Sequence, residues 1–173
     1  MIRVAINGFG RIGRSVFRVL NQREEIELVA INDIFDKEAL VYLLKYDTVM
    51  GRFPGTVELN NDMLTAGEQH VKLISEKIPE NLPWKDLGID IVVESTGIFR
   101  KKEQLQKHLD AGCSKVILTV PPKDEIDYMV VLGVNDKGLR KEHQIVSNAS
   151  CTTNCLAPMA KVLNDNFGIE LGV

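Results

Sequence analysis

The chain has 173 residues, of which 45% are apolar, and 21 basic and 24 acidic side chains give a formal net charge of −3. This composition suits one soluble domain with a substantial core. The longest basic run, Arg100–Lys102, is too short for a nucleic-acid footprint, and no apolar run reaches the roughly 18 residues of a membrane span. We therefore expect neither nucleic acid nor a membrane as partner. The N-terminus has no signal-peptide pattern, which favours a cytoplasmic location.

Strand-like and helix-like runs alternate along the first half of the chain. A strand at 2–7, a helix at about 10–22 and a strand at 26–32 predict a βαβ unit. Asp36 is the expected N-cap of a second helix, which ends near Tyr46. Turn residues separate short strand-like pieces between 56 and 74 and predict a small antiparallel excursion.

The second half continues the alternation, which is typical of an α/β fold with a mainly parallel sheet. Strands are predicted at 89–94, 116–120, 129–134 and 144–147, and helices at 102–111 and from about 150 to 168. The final stretch, 169–173, resembles the beginning of a strand. A strand cannot pair by itself, so we expect the natural protein to continue beyond Val173.

A glycine-rich motif joins the first strand to the first helix. Gly8-Phe9-Gly10-Arg11-Ile12-Gly13 fits G-x-G-x-x-G, in which the glycines allow a tight turn, a close approach to pyrophosphate and close helix–strand packing. Asp33 follows the next strand, about 20 residues after the last glycine, where a carboxylate accepts ribose hydroxyls. This context favours NAD over NADP and predicts a Rossmann-type, doubly wound fold. The alternative is a plain tight turn with Asp33 as a cap.

A cysteine lies where the last predicted strand gives way to the last helix. Cys151 is the centre of the segment Ser147–Cys155, and a helix N-terminus stabilises thiolate over thiol. The nearby hydroxyls of Ser150 and Thr152 suit a phosphate group. These residues favour a catalytic nucleophile, but they equally fit a run of N-cap residues around a small thiol. The pair Cys151 and Cys155 has no further Cys or His near it in sequence, so we predict no metal site.

Several segments together resemble phosphorylating glyceraldehyde-3-phosphate dehydrogenase, over the whole chain. They are Asn7–Arg14, Ile31–Asp33, Leu44–Asp47 with Gly51–Phe53, Glu94–Gly97 with Phe99, and Ser147–Cys155. The resemblance implies an NAD-dependent, homotetrameric enzyme that acts on a triose phosphate and inorganic phosphate through a Cys151 nucleophile. It also implies an NAD-binding domain at 1–150 and the start of a catalytic domain at 151–173.

The same resemblance implies roles for individual positions. Arg11 and Ile12 meet the pyrophosphate, and Asp33 the adenosine ribose. Ser150 and Thr152 help to bind phosphate. The other cofactor positions are the glycine-turn residues Asn7, Gly8, Gly10 and Gly13, then Lys77, Thr96, Gly97 and Phe99 around adenine, and Thr119 near nicotinamide. The chain departs from the family pattern at Val120 and Pro122, where small residues are usual.

Other interpretations remain open. The family's catalytic base is a histidine that would fall a few residues past Val173, and His70, His108 and His143 are expected to be surface residues. The chain could therefore be an NAD-binding module without catalysis. Erythrose-4-phosphate dehydrogenase shares the cysteine segment but tends to have Glu at the position of Asp33. A semialdehyde dehydrogenase is disfavoured by the cysteine segment.

Overall fold

The centre of the fold is the predicted βαβ unit. In the computed structural model, which describes residues 1–172, strand β1 (Ile2–Asn7), helix α1 (Arg11–Leu20) and strand β2 (Ile26–Asn32) follow one another. The two strands are parallel and in register from their first residues to their last, with a single shift after Val4. Helix α2 (Lys37–Lys45) begins as predicted, because the Asp36 carboxylate accepts a hydrogen bond from the amide of Ala39 at 2.8 Å.

The remaining elements extend the sheet on both sides of this unit. They are β3 (Tyr46–Asp47), β4 (Gly51–Arg52), β5 (Val57–Asn60), β6 (Met63–Ala66), β7 (Gln69–Ile74), β8 (Ile91–Glu94), α3 (Lys102–Asp110), β9 (Lys115–Leu118), β10 (Tyr128–Met129), β11 (Ile145–Ser147) and α4 (Cys151–Phe167). Within residues 1–172, no helix is both long enough and apolar enough to cross a membrane.

Strand order confirms the predicted fold class. Over the described residues, one sheet has the order β10-β11-β9-β8-β1-β2-β7-β6-β5, and β3 pairs with β4 separately. Neighbouring strands are parallel from β10 to β7. Strands β5, β6 and β7 pair antiparallel and form the predicted excursion. The result is a Rossmann-type, mainly parallel sheet.

The sheet has a buried cluster on each face. Val4 and Ile6 of β1 pack into one cluster with Phe17 of α1, and Ala5 between them packs into the other with Leu105 of α3. A strand covered on both faces has a continuous apolar run, which is why β1 is apolar at each position from Val4 to Ile6. The central strands are therefore buried on both faces, and their ends carry the loops that follow them.

Two predicted strands differ in the structure. The stretch 129–134 was expected to be a strand, but β10 ends at Met129. The side chain of Asn135 donates to the Met129 carbonyl at 2.9 Å and accepts from the Val131 amide at 2.7 Å, so the chain folds into a turn. The expected strand at 169–173 is also wrong for 169–172, which are irregular after Gly168 ends α4. Val173 lies outside the described residues.

Candidate functional site

The glycine-rich turn lies at the carboxyl ends of the parallel strands. Gly8 has a φ of 91°, and a Cβ atom there would lie 2.6 Å from the amide nitrogen of Thr96. A Cβ atom at Gly13 would lie 2.1 Å from the Gly8 carbonyl oxygen. Around Gly10, by contrast, no atom of the described residues other than those of Gly10 and its chain neighbours lies within 4 Å of such a Cβ. The inner glycines thus allow backbone packing, while the middle one leaves space for a ligand.

The N-terminus of α1 faces this space with free amides. Gly10 is the N-cap, and within the described residues no side chain caps the helix and its first turn has no acidic residue. The first intrahelical bond runs from the Arg14 amide to the Gly10 carbonyl at 3.0 Å. The amides before Arg14 therefore have no intrahelical acceptor, which suits an anion such as pyrophosphate.

The Asp33 carboxylate forms the wall beside the turn. Its Oδ2 accepts from the Phe9 amide at 2.6 Å, and its Oδ1 accepts from the Phe35 amide at 2.9 Å. Each carboxylate oxygen can accept a further hydrogen bond, so the group remains able to bind hydroxyls. The same negative charge disfavours a 2′-phosphate. This fits the predicted preference for NAD.

A cleft of about 420 Å³ opens between these groups. It lies where β1 has β2 on one side and β8 on the other, which is the point of strand-order reversal where nucleotides bind in such sheets. The cleft brings together many of the predicted cofactor residues, namely Asn7, Gly8, Gly10, Asp33, Lys77, Thr96 and Phe99.

Other predicted cofactor residues lie outside this cleft. Gly13 is buried behind the turn, and Ile12 is exposed on α1. Gly97, with a φ of 73°, is exposed in the turn after β8. Thr119 follows β9, where its Oγ1 donates to the Glu94 carbonyl at 3.1 Å. These positions lie beside the cleft along the same edge of the sheet.

Arg11 lies in a second groove of about 330 Å³, which it shares with Arg14, Tyr46 and Asp47. Partial burial lowers the pKa of the Arg14 guanidinium below its ordinary value. Hydrogen bonds from the backbone amides that follow Asp47 lower the pKa of its carboxyl. The groove therefore holds opposite charges side by side.

The thiol site begins after β11, three strands from β1 on the same edge of the sheet. Cys151 is exposed and is the first residue of α4, as the sequence predicted. Ser150 is the N-cap: its Oγ accepts from the Thr153 amide at 3.0 Å and lies 3.0 Å from Thr152 Oγ1. The predicted thiol and hydroxyls are thus presented together at a helix N-terminus.

A sharp turn precedes the first residue of α4. Ala149 is buried and has a φ of 64°, in the left-handed region that few residues with a side chain adopt. Its amide donates to Ser147 Oγ at 3.0 Å. On the other side, the Asn154 side chain donates to the Asn148 carbonyl at 2.7 Å. Sequence reasoning missed both Ala149 and Asn154 as residues that shape the thiol site.

The expectation that His108 is a surface residue is wrong. Its side chain is fully buried, with Nε2 at 3.1 Å from Glu94 Oε2 and Nδ1 at 3.1 Å from Trp84 Nε1. It lies three residues after the buried Leu105 on α3, and that spacing places both on one helix face. Glu94 was also missed, although an acidic residue at the end of a buried strand run was an available signal.

The other histidines are less constrained. His70 is exposed and lies 3.2 Å from Thr65 Oγ1, while His143 stacks on Tyr128 with ring centroids 4.9 Å apart. Among the described residues, no three His, Cys, Asp or Glu side chains lie together as metal ligands.

Comparisons with known proteins agree with this geometry. Residues 2–102 match the family described as glyceraldehyde 3-phosphate dehydrogenase, NAD binding domain, and residues 150–173 match its C-terminal domain. The chain belongs to this family. The matched domain confirms NAD as the predicted cofactor.

Curated relatives match over nearly the whole chain. The glyceraldehyde-3-phosphate dehydrogenase of Thermotoga maritima is 53% identical over 100% of the chain and 52% of its own length. That of Geobacillus stearothermophilus is 52% identical over 99% of the chain and 51% of its own length. The cytosolic enzyme of Trypanosoma brucei brucei is 51% identical over 100% of the chain and 52% of its own length. The chain thus spans about half the length of these relatives.

Proposed function

We propose that the chain is part of an enzyme that oxidises and phosphorylates D-glyceraldehyde 3-phosphate to 1,3-bisphosphoglycerate with NAD. The observation that carries this proposal is the exposed Cys151 at the start of α4, on the same sheet edge as the Asp33 cleft. Residues 1–150 would then form the NAD-binding domain and 151–173 the start of the catalytic domain.

The chemistry follows from the groups at this edge. The Cys151 thiolate attacks the aldehyde carbon and forms a thiohemiacetal, whose oxyanion the free amides of α4 can stabilise. Bound NAD supplies the hydride acceptor for the oxidation. The resulting thioester on Cys151 is cleaved by inorganic phosphate, which the hydroxyls of Ser150 and Thr152 would help to hold.

Replacement of the nucleophile tests this proposal. We expect Cys151→Ser in the full-length protein to lower kcat by about 10³-fold or more, since the thioester cannot form. The NAD dissociation constant should stay within about twofold, because Cys151 does not line the cleft and a thiol-to-hydroxyl change there removes no contact of the cleft. NADH absorbance and calorimetry measure the two quantities. Cys155→Ser is the matched control and should keep its activity; substantial turnover by Cys151→Ser would refute the proposal.

A second candidate is NAD binding without turnover by the 173-residue chain alone. In the described residues, His108 is held in the core, His143 stacks on Tyr128 and His70 lies beside Thr65, and no hydrogen bond joins any of them to Cys151. Calorimetry with NAD beside an NADH assay separates the two candidates. Steady turnover by this chain would exclude the binding-only candidate.

Substrate choice, assembly and location are further parts of the proposal. Asp33, where erythrose-4-phosphate dehydrogenase tends to have Glu, supports a triose rather than a tetrose phosphate. Relative kcat/KM values for the two aldehydes test this choice.

We also infer a cytoplasmic homotetramer, which gel filtration with light scattering and cell fractionation would test.

A further inference from the structure

A continuous set of hydrogen bonds runs beneath the cleft, and it begins at the backbone of Glu76. The Asn32 side chain accepts from the Glu76 amide at 2.8 Å and donates to the Glu76 carbonyl at 2.9 Å. A backbone amide only donates and a carbonyl only accepts, so these bonds fix which way the Asn32 amide points. Its Nδ2 also donates to Asn7 Oδ1 at 2.7 Å. Asn7 must therefore turn its own Nδ2 toward Glu94, to which it donates.

The opposite end of the set begins at Trp84. An indole nitrogen only donates, so the His108 Nδ1 atom that receives it at 3.1 Å must be unprotonated. The ring hydrogen then belongs on Nε2, which lies 3.1 Å from Glu94 Oε2. Trp84, His108 and Glu94 are all fully buried, so water does not rearrange these bonds. Trp84 thus selects the His108 tautomer that donates to Glu94.

Glu94 is the acceptor on which both ends converge. Its Oε2 accepts from Asn7 and His108, and its Oε1 accepts from the Thr96 amide at 2.8 Å and from Thr96 Oγ1. Thr96 Oγ1 in turn accepts from the Ile98 amide at 3.1 Å, which leaves its hydrogen for Glu94. A protonated carboxyl would place a hydrogen against one of these donors. The arrangement is therefore satisfied only by an ionised carboxylate at Glu94.

The hydrogen-bonded groups connect three walls of the cleft, although Glu94 itself does not line it. Asn7 is the end of β1, Thr96 belongs to the turn that carries Phe99, and Asn32 holds the backbone of Glu76 beside Lys77. The Thr96 turn also packs against Gly8, where a Cβ atom would lie 2.6 Å from the Thr96 amide. Glu94 thus bonds to groups that belong to different walls of the cleft.

We propose that Glu94 and His108 are positioning residues that set the affinity of the cleft for NAD without touching it. The proposal rests on the assignment of the cleft to NAD, and it is independent of the chemistry at Cys151. Glu94 holds Asn7 and Thr96 in one geometry, and His108 holds Glu94. Substitutions in the core behind the sheet should then act on nucleotide binding.

Calorimetry with NAD on the 173-residue chain tests the proposal. Glu94→Gln places an amide hydrogen against fixed donors and should weaken NAD binding at least about 10-fold. His108→Leu removes one donor to Glu94 and should weaken it by a similar factor. His108→Gln keeps a donor and should recover an affinity within about threefold of the wild type. Each titration is made at a temperature well below the unfolding midpoint of the variant.

Leu105→Ala provides the control for a loss of stability alone. Leu105 is fully buried on the same helix as His108 and takes no part in these hydrogen bonds. Its truncation should lower the unfolding midpoint at least as much as the His108 variants, yet leave the NAD dissociation constant within about threefold. If Leu105→Ala weakens binding as much as Glu94→Gln, the positioning role is wrong.

Histidine ¹⁵N spectra of the wild type give a second measurement, independent of any variant that fails to fold. We expect an unprotonated Nδ1 and a protonated Nε2 at His108, with and without NAD. The opposite tautomer, or wild-type affinity in both Glu94→Gln and His108→Leu, would overturn the proposal. Absence of NAD binding by the wild type would instead contradict the cleft assignment, and the proposal with it. Loss of turnover alone would concern only the proposed reaction.

Discussion

At the scale of single residues, the three cysteines differ sharply in environment. Cys113 is buried and its Sγ donates to the His108 carbonyl at 3.2 Å, and burial raises the pKa of its thiol to about 12. Cys151 and Cys155 are exposed on α4. Because the thiolate is the reactive form, Cys113 should be inert in the folded protein.

We therefore expect two fast-reacting thiols per chain at pH 8 and a third only after unfolding. A chromogenic disulfide reagent in the absence and presence of guanidinium measures this. The double variant Cys151→Ser with Cys155→Ser should lose the fast reaction entirely. A rapidly reacting Cys113 in that variant would show that the core opens far more readily than its burial indicates.

The glycines of the turn also differ from one another. Gly13→Ala should lower the free energy of unfolding by about 1–3 kcal/mol, because its Cβ would meet the Gly8 carbonyl oxygen at 2.1 Å and the backbone must move. Gly10→Ala, with open space around the Cβ, should change it by less than about 1 kcal/mol. Urea unfolding measures both. Equal losses would mean that close helix–strand packing is not what requires glycine at position 13.

At the scale of elements, α4 differs from the other helices. Its apolar side chains are exposed rather than packed on the sheet, with Leu156 at 64%, Val162 at 61% and Leu163 at 53% exposure. A periodic apolar face usually indicates burial. The helix and its apolar face were predicted correctly, but periodicity alone does not show which surface, if any, covers that face.

This exposure predicts a small effect of polar substitution on α4. In the 173-residue chain, Leu163→Gln should change the free energy of unfolding by less than about 0.5 kcal/mol. Leu105→Ala on α3 should lower it by about 2–5 kcal/mol, since that side chain is fully buried. Urea unfolding at two protein concentrations is the measurement. A large, concentration-dependent loss for Leu163→Gln would show that the face is buried by self-association.

Across the whole molecule, the features that sequence predicts are local ones. The glycine turn, the Asp36 cap and the start of α4 at Cys151 each depend on a few consecutive residues, so their patterns are readable. The strand predicted at 129–134 is shorter in the structure because the side-chain amide of Asn135, a few residues further along, bonds to the backbone of Met129 and Val131, and periodicity does not report such a bond. The bonds around Glu94 join residues that are far apart in sequence, such as Asn7 and Trp84. No short pattern contains these bonds, although the spacing of Leu105 and His108 on α3 was a local signal that His108 lies on the buried face.

The left-handed conformation of Ala149 limits which residues can occupy this position before Cys151. A side chain in this conformation costs about 1–2 kcal/mol, and a β-branched residue would cost more. Ala149 is 2% exposed, so a larger side chain would have to displace its neighbours. Glycine would relieve the backbone cost but would also loosen the turn that aims Cys151. Mutational tolerance at position 149 should therefore be among the narrowest in the chain, although the residue carries no chemistry of its own.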